Sequence, residues 1–208
     1  MLMTVQTAHQ EDIAASPSHS DNAKRALDLV VGACALLLLA PLMASLALAV
    51  RLDSPGPSLF RQSRVGRGGR PFTLLKFRTM AWGTPDISTA DMSRQKVRPV
   101  TRVGLLLRRF SLDELPQLVN VVRGEMSLVG PRPALPSQVS LNEARREAGV
   151  EELLPGITGW AQVNGRDDLS DSEKVAHDAY YARNRSLGLD VRILLLTVLS
   201  VGTGRGNR

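Results

Sequence analysis

Cysteine appears once in the 208 residues, at Cys34 inside an apolar run, and histidine three times, two of them near the start. That scarcity excludes a zinc-type Cys/His cluster and an intrachain disulfide, and it suits a reducing compartment. Aromatic residues make up 4% of the chain, too few for the stacking platforms that hold single-stranded nucleic acid. Catalytic signatures are missing too. There is no G-x-x-x-x-G-K-[ST] loop, no G-x-G-x-x-G after a strand, no G-x-S-x-G and no H-E-x-x-H. The run "VGRGGR" is too loose to count as a nucleotide fingerprint. If the chain is an enzyme, carboxylates and arginines must carry the chemistry.

Arginine is what the sequence has in quantity, 22 residues against 4 lysines, within a net charge of +6. Such a balance points to an anionic partner: phosphates, nucleic acid or an acidic membrane surface. The planar guanidinium is the better fork for phosphate oxygens, although an Arg-rich codon usage gives the same count. The length allows one sizeable domain plus an appendage.

Residues 1–22 are small and polar without periodicity and read as a disordered tail. From Leu29 to Val50 there is no charge, and 22 residues suffice to cross a bilayer core. The late start and the lack of a clean small-residue cleavage site argue against a cleaved signal peptide. Pro41 lies in mid-run and removes a backbone donor, which should break or kink the helix. Basic residues flank the run on both sides, Lys24 and Arg25 before it and Arg51, Arg61 and Arg64 after it, so both flanks favour the same side of a membrane. A re-entrant helix broken at Pro41 and an ordinary kinked span are both compatible with these facts. Asp28, at the edge of the run, needs a partner, and Lys24 or Arg25 is one turn back.

Beyond "DSPGPSLF", a turn cluster, the chain reads as a small β element around residues 58–79, with "FTLLKF" the clearer strand of a Gly-rich hairpin. Residues 81–99 read as a surface loop. Helices are expected in "VTRVGLLLRRF", in "PQLVNVVRGEM" opened by Pro116, in "SQVSLNEARREAG", and in "LSDSEKVAHDAYYARN" with Ser170 and Glu173 as a capping box. "SLVGPRPALP" is expected to be irregular because of its prolines, and "LPGITGWAQVNGR" to be loop or short strand. "SLGLDVRILLLTVLSVGTG" holds an apolar helix suited to a membrane face or the core.

Two adjacent acids, Asp113 and Glu114, precede Pro116 in "SLDELPQL". Ser111 and Glu114 fit a capping box, so a plain helix start accounts for them. Equally, carboxylates at the positive end of a helix and beside arginines stay ionised, and an ionised aspartate can attack phosphorus. Candidate phosphate ligands are Arg132, fixed between prolines in "GPRP", Lys76 and Arg78, which alternate around Phe77, and Arg109, just upstream of the acids.

Taken together and in order, "KRALDL" before a proline-centred apolar run, "FRQSRVGRGGRPFTLLKFRTM", "TRVGLLLRRFSLDELPQLVNVVRGEMSLVGPRP", "LPGITGWAQVNGR" and "DVRILLLTV" resemble the bacterial sugar transferases, the monotopic polyprenyl-phosphate phosphoglycosyl transferases, in their minimal form. The likeness covers about residues 23–200. It departs at Leu105, where relatives often carry a basic residue, and in the absence of tryptophan from residues 169–187.

The resemblance implies an α+β, helix-dominated protein with a disordered tail (1–22), a re-entrant membrane helix broken at Pro41 (23–52) and a membrane-associated catalytic domain (53–208), its interfacial helices around the active site. It implies a phosphoglycosyl transferase at the cytoplasmic face of the bacterial inner membrane. Asp113 would attack a UDP-sugar, releasing UMP and forming an aspartyl phosphosugar. Undecaprenyl phosphate would then take the phosphosugar, the first membrane step of polysaccharide or glycoconjugate assembly. Glu114 would assist, Mg²⁺ would be held by Asp113 and Glu114, and Arg132, Lys76, Arg78 and Arg109 would bind phosphate. No nucleic-acid partner is implied, and a homodimer is compatible. The alternative from another class is a membrane-anchored, non-catalytic binder of anionic lipid or nucleic acid.

Overall fold

The computed structural model describes residues 18–84, 100–165 and 168–202. Residues 1–17 of the expected tail and most of the 81–99 loop fall outside them, while residues 18–22, expected as the end of that tail, are helical and open α1. Helix α1, Ser18–Asp53, is long and apolar enough to cross a membrane. Its helical course is uninterrupted at Pro41, so the break expected there is not present in the secondary structure. The proline forfeits one hydrogen bond on an exposed face, and the turns on either side are held by packing.

That packing is one continuous stripe. Gly32, Leu36, Leu39, Met43, Leu46 and Val50 follow at three- or four-residue spacing and turn toward the rest of the protein. Leu37, Leu38, Leu48 and Leu52 face outward. Both ends of the helix therefore rest on the same body. At the start, buried Asp28 accepts the Leu128 N–H (3.1 Å), and at the finish Val50 packs with Phe77 and Leu107. Lys24 is the partner expected for Asp28, at 3.9 Å, and it also donates to Asp190 at 2.7 Å. Arg25 instead donates to the carbonyls of Val121 and Val122.

The hairpin of β1 (Leu59–Val65) and β2 (Pro71–Phe77) is antiparallel, with Leu59 opposite Phe77 and Val65 opposite Pro71. Helices α2 (Arg102–Arg109) and α3 (Gln117–Arg123) follow, then β3 (Ser127–Val129), α4 (Val139–Glu147), β4 (Gly156–Thr158), α5 (Trp160–Asn164), α6 (Asp171–Asn184) and α7 (Leu187–Gly202). The molecule is thus α+β and helix-dominated, as expected. Ser170 and Glu173 form the expected capping box of α6.

Two elements depart from expectation, one of them α5, where Trp160–Asn164 is helical in place of the expected loop or short strand. Ser127–Val129, read as irregular, is a strand, and it pairs in parallel with β4, Ser127 opposite Gly156 and Val129 opposite Thr158. Gly130, Gly156 and Gly159 make this possible, because a Cβ on Gly156 would lie 2.1 Å from the Gly130 nitrogen and one on Gly159 would lie 2.0 Å from the Gly130 oxygen. Prolines begin only at Pro131, so they end the strand rather than prevent it.

One core cluster joins Leu74, Leu118, Val121, Met126, Val129, Tyr181 and Ile193, and a second joins Val50, Phe77 and Leu107. Helix α7 uses one face for the first cluster and leaves Leu187, Val191, Leu195 and Leu199 exposed at four-residue intervals. Asn120, fully buried, ties α3 to the hairpin. It accepts the Leu75 N–H (3.1 Å) and donates to Thr73 O (2.8 Å) and Glu125 Oε2 (2.6 Å).

Candidate active site

The two acids sit in a turn built by the elements around it. Thr101 Oγ1 accepts the Gly104 N–H and Asp53 Oδ2 the Val103 N–H, both at 3.0 Å, so two of the free N–H groups at the start of α2 are capped. After α2, Ser111 adopts φ 53°, the sole non-glycine with positive φ among the described residues. Its hydroxyl caps nothing, so the capping box expected of Ser111 and Glu114 is not formed. A left-handed serine costs free energy that the surrounding packing must offset, and such residues cluster at functional sites. A 3-10 turn, Leu112–Glu114, follows, with Leu112 and Leu115 against the second core cluster and Pro116 leading into α3.

Glu114 Oε1 receives Lys76 Nζ at 2.8 Å and Arg132 Nη1 at 3.2 Å. Three residues widely separated in sequence thus meet. Burial is the largest influence on the Glu114 carboxyl and raises its pKa, but the charges and hydrogen bonds of Lys76 and Arg132 outweigh it and hold the group at about 2. Asp113 is 7% exposed, and its Oδ1 is buried without a hydrogen-bond partner. Burial pushes its carboxyl up, with the Glu114 charge adding to the rise and Lys76 and Arg108 opposing it. Glu114 is thus held firmly ionised, as expected, whereas the Asp113 carboxyl is shifted the opposite way. For Asp113, desolvation exceeds the pull of nearby cations.

The "GPRP" turn is fixed through its oxygens. Pro131 O accepts the Gly156 N–H (2.9 Å), Arg132 O accepts Arg145 Nη1 (2.8 Å), Pro133 O accepts Arg64 Nη1 (3.0 Å) and Ala134 O accepts the Val65 N–H (3.0 Å). Four consecutive carbonyls are held from β4, α4 and β1.

Two sequence candidates are placed elsewhere. Arg78 is buried and donates to Ser54 O (2.7 Å), Ser54 Oγ (2.9 Å) and Pro55 O, so it secures the turn leaving α1. Strand β2 ends at Phe77, and the alternation that would have set Arg78 beside Lys76 ends with it. Arg109 is exposed, its guanidinium 5.5 Å from the Phe110 ring centroid. Its neighbour Arg108 is the residue that acts on Asp113, while donating to Thr79 Oγ1 at 2.9 Å. A one-residue step around a helix decides between the two, and sequence spacing alone did not resolve it. Arg145 and Arg64 were also missed, because a side chain that binds backbone carries no sequence signature.

No group of three or more Cys, His, Asp and Glu gathers among the described residues. That donor set still suits Mg²⁺, which binds through one or two carboxylates together with water and substrate phosphates. The unpartnered Asp113 oxygen beside an ionised Glu114 fits such an ion.

A family model described as bacterial sugar transferase matches residues 19–204. The chain is 45% identical over 192 residues to the UDP-glucose:undecaprenyl-phosphate glucose-1-phosphate transferase of Caulobacter vibrioides, covering 88% of this chain and 71% of the relative. It is 46% identical over 187 residues to the undecaprenyl-phosphate glucose phosphotransferase of Komagataeibacter xylinus, covering 84% and 35%. It is 42% identical over 183 residues to the uncharacterised sugar transferase EpsL of Bacillus subtilis, covering 88% and 89%. The chain thus spans about a third of the Komagataeibacter relative's length and most of the other two. With the ordered motifs, the acid pair and a match from end to end of the described fold, this protein belongs to the bacterial sugar transferase family.

Proposed function

We propose that this protein transfers a phosphosugar from a UDP-sugar to undecaprenyl phosphate, releasing UMP, with Asp113 as the nucleophile. The observation that carries this reading is the pairing of a buried carboxylate that has an unpartnered oxygen with a neighbouring carboxylate that anchors two cations. The names of the relatives, which pair UDP-glucose with undecaprenyl phosphate, support the substrates.

In the first step an Asp113 oxygen forms a bond to the phosphorus that carries the sugar. The bond from that phosphorus to the bridging oxygen breaks, and UMP leaves with the electron pair. In the second step a phosphate oxygen of undecaprenyl phosphate attacks the same phosphorus, and Asp113 is released as carboxylate. The leaving group and the acceptor are phosphates, whose second ionisation lies near ~6, so neither step needs a proton donor. That accords with Glu114, which at about 2 is no acid at neutral pH. Its work is to hold Lys76 and Arg132 toward the phosphate oxygens, where charge gathers in the transition state. Mg²⁺, when held by Asp113 and Glu114, supplies further positive charge there.

Placement of the acceptor follows from α1. Both of its ends rest on one domain while its outer face is apolar, which supports a helix that bends at Pro41 without losing its helical course and keeps both flanks on one side of a bilayer. The basic residues on both flanks favour the cytoplasm as that side, and α7 offers a second apolar face.

The test is UMP release from a panel of UDP-sugars with undecaprenyl phosphate, by wild type and Asp113→Asn. Loss of release in the variant, with a phosphosugar trapped on Asp113 by mass spectrometry, is expected. Unchanged release, or the label on another side chain, would overturn the reading. Labelling of both termini from the cytoplasmic side of cells tests the topology, and opposite-side labelling would exclude re-entry.

A further inference from the structure

Arg145 lies on α4, outside the acid pair and outside the family-like motifs, yet it is 8% exposed and spends its whole donor fork on two acceptors. Nε and Nη2 donate to one oxygen of Asp178, at 3.1 and 2.6 Å, and Nη1 donates to Arg132 O at 2.8 Å. Asp178, on α6, is 1% exposed. Burying a guanidinium and a carboxylate is costly, and such a pair rarely adds stability over an apolar one. Here the pair delivers one directed hydrogen bond to the main chain of the residue whose side chain meets Glu114.

The geometry points to Arg145 as a positioning residue for Arg132, with Asp178 fixing the Arg145 fork, an inference that rests on the phosphate-binding role proposed above for Arg132. The turn leaves few other ways to hold it. Pro131 and Pro133 have no N–H, so the segment is tied by its carbonyls alone at these positions. The Pro131 and Ala134 oxygens are taken by backbone of β4 and the end of β1. The oxygen of Arg132 itself is taken by Arg145, and that of Pro133 by Arg64. Rotation of the 132–133 peptide therefore requires breaking charge-assisted bonds, and the Arg132 guanidinium is held where it reaches Glu114, 3.2 Å away. Helices α4 and α6 gain a part in the reaction without touching substrate.

A double-mutant cycle on the full chain in lipid nanodiscs tests this, with UDP-glucose, or the best donor of the panel above, and undecaprenyl phosphate. Arg145→Met should raise KM for the UDP-sugar and lower kcat/KM by about 10- to 100-fold, the scale of a misplaced binding group. In an Arg132→Ala background the same change should cost less than about 2-fold, because the residue it positions is gone. Asp178→Asn, which keeps the size of the side chain, should show the same non-additivity with a smaller loss, and it serves if Arg145→Met folds poorly. Equal losses in both backgrounds, or a fall in kcat with KM unchanged, would mean a merely structural pair and overturn the inference. A silent Arg132→Ala would remove the phosphate role itself. An unaffected Arg145→Met beside a crippled Arg132→Ala would remove only the positioning.

Discussion

Asp113 and Glu114 are consecutive in the chain, yet their carboxyl groups are driven apart, the first raised by burial and the second held at about 2 by Lys76 and Arg132. Neighbouring acids with divergent environments commonly take different roles. Here one is suited to covalent attack and the other to holding cations.

Asp113→Asn separates stability from activity. The wild-type carboxyl is desolvated, and its pKa is raised, so its ionised form opposes folding at neutral pH. The isosteric amide removes that charge. Melting at pH 7 should occur at a higher temperature than for wild type while UMP release is lost. A lower melting temperature would show that the carboxylate is stabilised in a way these contacts do not describe.

Without Mg²⁺, Asp113 should take up its proton on acidification earlier than an ordinary aspartate would. The nucleophile must be ionised, and its folded-state pKa lies above the usual aspartate range. Titration of that carboxyl in metal-free protein, read from the infrared carbonyl band that Asp113→Asn removes, should show protonation above that range, and added Mg²⁺ should pull it down.

Glu114→Gln addresses the opposite shift. A depressed folded-state pKa contributes stability that is fully present above the ordinary glutamate range and is lost as pH falls toward 2. The shift from 4.5 corresponds to roughly 3 kcal/mol. Chemical denaturation should find the variant less stable at pH 7 by up to about that amount. Between about pH 5 and 2 its stability should vary less steeply than the wild type's. Catalysis should fall as well, because Lys76 and Arg132 lose their shared anchor.

Arg78→Met should act on the fold and not on phosphate binding. It strips donors from Ser54 O, Ser54 Oγ and Pro55 O, and leaving these partly buried acceptors without the guanidinium should cost about 1–3 kcal/mol. KM for the UDP-sugar, measured on the folded fraction, should stay within about 2-fold of wild type. A large rise in KM would return Arg78 to the phosphate site.

Asn120→Asp replaces an amide donor with an acceptor facing Thr73 O and the Glu125 carboxylate. A buried charge against two acceptors should destabilise by about 3 kcal/mol or more at pH 7, and the loss should lessen in acid as the new carboxyl is protonated. Asn120→Ser, which retains a donor, should be milder.

Much of this architecture is readable in advance. The hairpin, the α3 start at Pro116 and the capping box at Ser170 follow from local rules that act over a few residues. The acid pair and Arg132 stand out by residue type and by their rigid surroundings. What is not readable depends on contacts between distant segments. The parallel pairing of β3 with β4 joins residues about thirty apart through three glycines. The choice of Arg108 over Arg109 depends on how α2 is rolled against Thr79. Pro41 does not interrupt α1, because a stripe of packing spans it.

The Lys24 to Asp190 contact bridges a separation of 166 residues, and it has consequences for biogenesis. Helix α1 leaves the ribosome long before α7 exists to receive it. During that interval Lys24 has only Asp28 nearby, although the inner face of the helix already has segments up to Leu128 to pack on. Its outward face, which α7 does not cover, needs a lipid bilayer or a chaperone from the start. Maturation of the enzyme should therefore lag behind synthesis of its acid-bearing turn, and a nascent chain arrested before residue 190 should be sensitive to proteases.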